Sequence, residues 1–166
     1  RIWYGTGYSL LIGITTAFVT FTIGVLYGGF AGISGGKVDM FMMRVAEIIY
    51  SIPYLLVVIL LSVVLSTSGS GSSFSVIIIA LSFTSWTPLA ILVRGQVLQL
   101  KQSEYALASK SIGASKWYIL KKHIIPNSMG PILVDVTLTV PRAIFSEATL
   151  GFLGLGLQAP QASLGT

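Results

Sequence analysis

The sequence predicts an all-helical protein embedded in a membrane, and three observations carry that prediction. Hydrophobic residues make up 54% of the 166 residues and charged ones only 9%, where an ordinary soluble domain carries roughly 25% charged residues. Uncharged apolar runs reach the length of about 20 residues that a helix needs to cross the hydrocarbon core. Much of the charge is gathered in one stretch, "SEYALASKSIGASKWYILKKHIIPN", residues 103–127. A soluble fold of this size needs a charged surface to stay dispersed, so the net charge of +5 does not describe a nucleic-acid-binding face on a soluble scaffold. The absence of cysteine excludes disulfide frameworks and Cys-based metal sites.

The elements follow in chain order. Residues 9–31, "SLLIGITTAFVTFTIGVLYGGFA", hold no charge and predict the first span. Gly24, Gly28 and Gly32 recur at intervals of four on one helix face. Such a face lets another backbone come close, although glycine is also simply common in membrane helices. "GISGGKVDM" breaks this helix and brings Lys37 and Asp39 into a short polar turn. It is no phosphate-binding loop, because Ala31 and Val38 stand where that motif needs Gly and Ser or Thr.

Residues 40–66 predict a second span with Arg44 and Glu47 near its start and Pro53 in its middle; the missing proline N–H kinks or breaks a helix there. "TSGSGSS" is a loop signal. The third span covers 74–99, with another kink expected at Pro88, and the fourth, more polar, covers 128–148 and bears Asp135 and Arg142. The glycine-rich tail 149–166 is expected as a short helical or re-entrant piece.

Between Arg94 and Lys122 lie six basic residues and one acid, Glu104. The positive-inside rule places this loop, 101–127, in the cytoplasm, and with it "GISGGKVD"; "TSGSGSS" and the tail then lie outside. The loop itself predicts two short helices and a turn. Ser103 is a good N-cap before Glu104, Tyr105, Ala108, Ser109 and Ile112 share a face, and Gly113 supplies the left-handed residue that ends the helix. Ser115 can cap the second helix, with Trp117, Leu120 and Ile124 on one side and Lys116, Lys121 and Lys122 around the rest, until Pro126 opens the next segment. Two readings follow: an amphipathic hairpin lying on anionic lipid, or a docking element whose small residues admit a protein partner.

The stretch "LASKSIGASKWYILKKHIIPN" resembles the EAA loop of bacterial ABC-transporter permeases, matching at Ala108, Gly113 and Pro126. Leu107, Ser109, His123 and Ile125 stand where the family pattern has Glu, Ala, Ile and Leu. "LTVPRAIFSEATLGFLGLGLQAP", "YSIPYLLVVILL" and "VRGQVLQLK" extend the resemblance over nearly the whole chain, to the second permease subunit of the oligopeptide/dipeptide importer family. The resemblance implies a polytopic helical bundle of the type I importer (MetI-like) fold in the bacterial cytoplasmic membrane. It also implies that the sequence is a partial domain, with a further span before it and one after.

A coupling loop follows from the same resemblance, with Glu104, Tyr105, Ala108, Ser109, Lys110, Gly113, Ala114, Ser115 and Pro126 as its candidate residues. The partners it implies are a homologous permease, two cytoplasmic ATPase subunits that bind ATP and magnesium, an extracellular peptide-binding protein and membrane lipid. No cofactor is expected on this chain and no nucleic acid among its partners. Ionisable residues within spans mark partners or watery paths, which makes Glu47, Asp135, Arg142 and Glu147 candidates for the translocation path or the subunit interface. A nickel or other small-solute permease of the same family and a non-transport scaffold are the alternatives. An intramembrane enzyme lacks its constellation: His123 is the single histidine, at a loop edge without a nucleophile and orienting group.

Overall fold

The computed structural model describes residues 2–67 and 73–155. All regular structure among them is helical: α1 (Ile2–Ser34), α2 (Gly36–Ser51), α3 (Tyr54–Thr67), α4 (Ser73–Leu100), α5 (Glu104–Ser111), α6 (Lys116–Ile119), a π-helical turn (Leu120–Ile124) and α7 (Ile125–Phe152). Three stretches are long and apolar enough to cross a membrane, Gly5–Ser34, Phe74–Leu100 and Lys116–Phe152, and a fourth exists if Gly36–Ser51 and Tyr54–Val64 count as one broken span.

The break between α2 and α3 is the work of Pro53. α2 stops at Ser51, and the Pro53 carbonyl then accepts from the N–H of Leu56 at 3.0 Å to start α3. Pro88 behaves differently from its expectation. α4 runs through it without interruption, as membrane helices can when neighbouring groups take up the one lost hydrogen bond. The expected polar turn "GISGGKVDM" shrinks to Gly35 and Gly36, at φ +66° and +60°; Lys37 and Asp39 already belong to the first turn of α2, and Asp39 is buried.

The fourth span also departs from expectation. α6, the π turn and α7 follow one another without a gap, so the second helix of the hairpin leads straight into the span. Pro126 has no N–H to give to the Lys122 carbonyl, and the widened π turn sits immediately before it. At about 1.5 Å per residue, the 37 residues of Lys116–Phe152 outreach a hydrocarbon core about 30 Å thick, so the cationic end projects from the membrane. At the other end α7 continues to Phe152 and closes on Gly154, at φ +76°, taking in the first residues of the expected tail. Residues 68–72, most of the "TSGSGSS" loop, and residues 156–166 lie outside the described residues.

The helices form two compact units. The first, Arg1–Val19, Ser51–Ser85 and Thr137–Thr166, has a core of Ile12, Val58, Ile77, Leu81, Ala143 and Leu150. The second, Thr20–Tyr50 and Trp86–Val136, contains the hairpin and is centred on Leu89, Val93, Val97, Ile119, Leu120, Ile124 and Ile132. In it the glycine face of α1 lies against α4. A Cβ on Gly28 would run into the Ala90 carbonyl, one on Gly24 would meet Leu89 at 2.9 Å and one on Gly32 would meet Val97 at 2.8 Å. In both units large apolar side chains such as Phe18, Phe41 and Phe145 remain exposed, as suits helices whose outer faces meet lipid tails.

Candidate functional site

The hairpin between α4 and α7 is assembled from local signals. Ser103 has the extended backbone of an N-cap (φ −69°, ψ 153°), but its hydroxyl donates back to the Leu100 carbonyl at 2.6 Å instead of accepting from the helix. Gly113 adopts φ +90°, with open space where a Cβ would be, so the turn needs glycine for its backbone alone. The Ala114 N–H returns to the Ser109 carbonyl at 3.0 Å, closing α5. Ser115 caps α6 by accepting from the Tyr118 N–H at 3.2 Å.

Helical spacing grouped Tyr105, Ala108, Ser109 and Ile112, but the structure divides them. Ala106 and Ser109 turn inward, whereas Ala108, Ser111 and Gly113 are exposed and Ile112 is 86% exposed. His123 ties the two arms together: its Nε2 lies 3.2 Å from Ser109 Oγ, and its ring stands between those of Tyr105 and Tyr118, with centroids at 6.2 and 5.9 Å. Leu120 and Ile124 enter the core of the second unit, while Trp117 stays half exposed beside the Phe30 ring at 5.3 Å. The hairpin is thus fixed on one side and presents small and apolar residues on the other. Glu104 and Lys110 are exposed at its flanks.

A feature beside the hairpin was missed by sequence reasoning. Asp39 and Arg94 meet across 55 residues, Arg94 Nε donating to Oδ1 and Nη2 to Oδ2, both at 2.6 Å. This two-point fork is the strongest geometry open to an arginine–carboxylate pair, and it ties the start of α2 to α4. The available signal was one acid and one base near the same ends of apolar runs, where an unpaired charge is expensive. Nearby, Lys101 Nζ donates to the Gly32 carbonyl at 3.4 Å, a cation at the C-terminus of α1.

The candidate path residues do not gather in one place. Glu47 is exposed and pairs with Arg44 at 3.1 Å one helical turn away. Asp135 is partly buried and Arg142 exposed, both on α7. Glu147 is fully enclosed in the first unit, where Ser9 Oγ donates to its Oε2 at 3.3 Å. Among the described residues no group of acidic, histidine and cysteine side chains could hold a metal ion.

Long apolar helices joined by a cationic, glycine-turned hairpin define a multi-span membrane protein with one specialised polar connection. Solved structures share this fold: the chain superimposes with a TM-score of 0.80 on a chain from the inward-facing MetNI methionine ABC transporter, at 19% identity, covering 93% of this chain and 76% of that one. A chain from an amino acid ABC transporter gives 0.64 at 21% identity, with 92% and 72% covered. Residues 24–166 match the family described as binding-protein-dependent transport system inner membrane component, and the chain belongs to that family. Among its relatives it is 53% identical over 165 residues to the dipeptide transport system permease protein DppC of Bacillus subtilis (strain 168), covering 99% of this chain and 50% of the relative. It is 51% identical over 166 residues to the oligopeptide transport system permease protein OppC of the same organism, covering 100% and 53%, and 41% identical over 165 residues to OppC of Escherichia coli (strain K12), covering 99% and 53%. The chain therefore spans about half the length of these relatives.

Proposed function

We propose that this chain is part of the membrane-embedded permease of an ATP-driven peptide importer, with the 101–127 hairpin as the element that receives the ATPase. The observation that carries the coupling role is the mechanical continuity of the hairpin with α7. α6 passes through the π turn into the 28-residue helix without a break, so a force on the exposed Ala108–Gly113 face is transmitted to a spanning helix rather than absorbed in a loop. His123 and the buried Ile119, Leu120 and Ile124 keep that lever stiff.

The peptide substrate is supported by the names of the relatives at 51–53% identity. In this reading a homologous permease, two ATPase subunits holding ATP and magnesium, and an extracellular peptide-binding protein complete the machine, and this chain performs no bond-breaking step. Glu47, Asp135 and Arg142, ionisable groups on helix faces that reach the surface, line the path or the permease–permease contact.

Gly113→Val tests the coupling role. No atom stands within 4 Å of the added Cβ, so the penalty is backbone alone, about 1–2 kcal/mol for a left-handed L-residue. The full-length variant is expected to reach the membrane at normal abundance and to lose peptide uptake, with Gly113→Asn less affected because asparagine tolerates this region. Normal uptake by Gly113→Val at normal abundance would remove the coupling role from the hairpin. Uptake of labelled dipeptides and nickel in the same cells checks the substrate: nickel uptake without peptide uptake would replace the peptide reading.

A further inference from the structure

A cleft of about 400 Å3 opens in the second unit between the end of α1, the residues that follow α4, and the inner flank of the hairpin. Its walls combine two chemistries. Ile33, Leu107 and Ile119 are apolar, and Lys101, Lys110 and Lys116 bring three cations to the same space. Among the described residues none of these three lysines forms an ion pair with an acid. Lys101 is held by its bond to the Gly32 carbonyl and keeps further N–H groups to offer.

The position of the cleft selects its occupant. Ser34 ends α1 and Leu100 ends α4, both candidate spans, so the cleft lies at the level of the lipid headgroups on the side the cationic loop assigns to the cytoplasm. Leu107 and Lys110 line the cleft, whereas the exposed face of Ala108 and Ser111 takes no part in its lining. A partner docked on that outer face would leave the cleft open to the membrane.

We infer that this cleft binds the phosphate of an anionic phospholipid of the cytoplasmic leaflet. Lys101, Lys110 and Lys116 surround the headgroup, and the upper acyl chains rest against Ile33, Leu107 and Ile119. Basic pockets between membrane helices on the cytoplasmic side hold anionic headgroups in this way. A free phosphate shares the charge but has no use for the apolar wall. The inference rests on the orientation of the loop and is independent of which solute the transporter carries.

The test uses the assembled transporter with its full-length permease, titrated in detergent with phosphatidylglycerol or phosphatidylcholine while bound lipid is counted by native mass spectrometry. Phosphatidylglycerol is expected to bind preferentially, and K110Q/K116Q to weaken that binding by about 25-fold, about fivefold per lysine. K110R/K116R, which keeps the charge, is expected to retain it. Equal binding of the two lipids, or phosphatidylglycerol affinity unchanged in K110Q/K116Q, overturns the proposal. Inorganic phosphate separates the two phosphate sources: if it binds the same lysines as tightly and displaces the lipid, the site takes a free anion and the lipid assignment falls. Loss of the ATPase subunits from K110Q/K116Q with lipid affinity intact would assign the lysines to the protein partner, which also overturns it.

Discussion

Each unit of this molecule buries one carboxylate, and the two are held in opposite ways. In the second unit Asp39 receives both arms of a guanidinium fork at 2.6 Å, and the Arg94 side chain remains 33% exposed. In the first, Glu147 is wholly enclosed, takes one hydroxyl on Oε2 at 3.3 Å, and has no partner among the described residues for Oε1. The difference teaches what each acid does for its surroundings. A two-point ionic fork fixes distance and orientation between α2 and α4, and its Arg94 end still reaches the surface. A single hydroxyl contact anchors α1 to α7 weakly, and the orphaned oxygen marks Glu147 as an interior polar group retained against its energetic cost.

The largest effect expected from this contrast is at the fork. Asp39→Ala leaves Arg94 without its counter-ion and should destabilise the full-length permease by about 3 kcal/mol, the low end for a broken buried pair because Arg94 is partly exposed. Unfolding by denaturant from mild detergent measures it, and the D39A/R94L double variant should recover part of the loss. Simple additivity of the two single changes would mean that the fork contributes no coupling.

Next come the glycines. Gly28→Ala drives a Cβ into the backbone carbonyl of Ala90, which cannot turn aside, so a loss of about 2 kcal/mol is expected from overpacking. Gly13→Ala, in the first unit, meets the Val140 side chain at 2.9 Å and its carbonyl at 3.2 Å, and a side chain gives way more readily. Its loss should be the smaller in the same assay; the reverse order would contradict the close α1–α4 contact of the second unit.

Removing the single hydroxyl contact ranks below both. Ser9→Ala should cost about 1 kcal/mol, the net worth of one buried hydrogen bond, with peptide uptake retained. A loss as large as that of Asp39→Ala would show that the two carboxylates are equally braced and erase the comparison. As a control of opposite sign, Gly7→Ala enters open space on an exposed helix face and should stabilise by at most about 1 kcal/mol through helix propensity.

What the sequence determined by itself was local. Apolar run length set the spans, Pro53 set the break between α2 and α3, and Gly113 with Ser115 set the turn of the hairpin, because hydropathy, a missing N–H and a left-handed φ are properties of a residue and its immediate neighbours. The family resemblance was legible for the same reason, in short patterns along the chain such as the one around Gly113. Tertiary structure decided the rest. Only packing could bring Asp39 to Arg94 from 55 residues away, enclose Glu147 among helices while leaving Glu47 exposed, and divide the face of α5 into a buried Ala106–Ser109 side and an open Ala108–Ser111 side. The passage of α6 into α7 through a π turn was equally hidden, since Pro126 is compatible both with opening a new helix and with being carried inside a longer one. Which of these happens depends on whether the residues before the proline have a core to enter, and Leu120 and Ile124 find theirs against the other helices of the second unit.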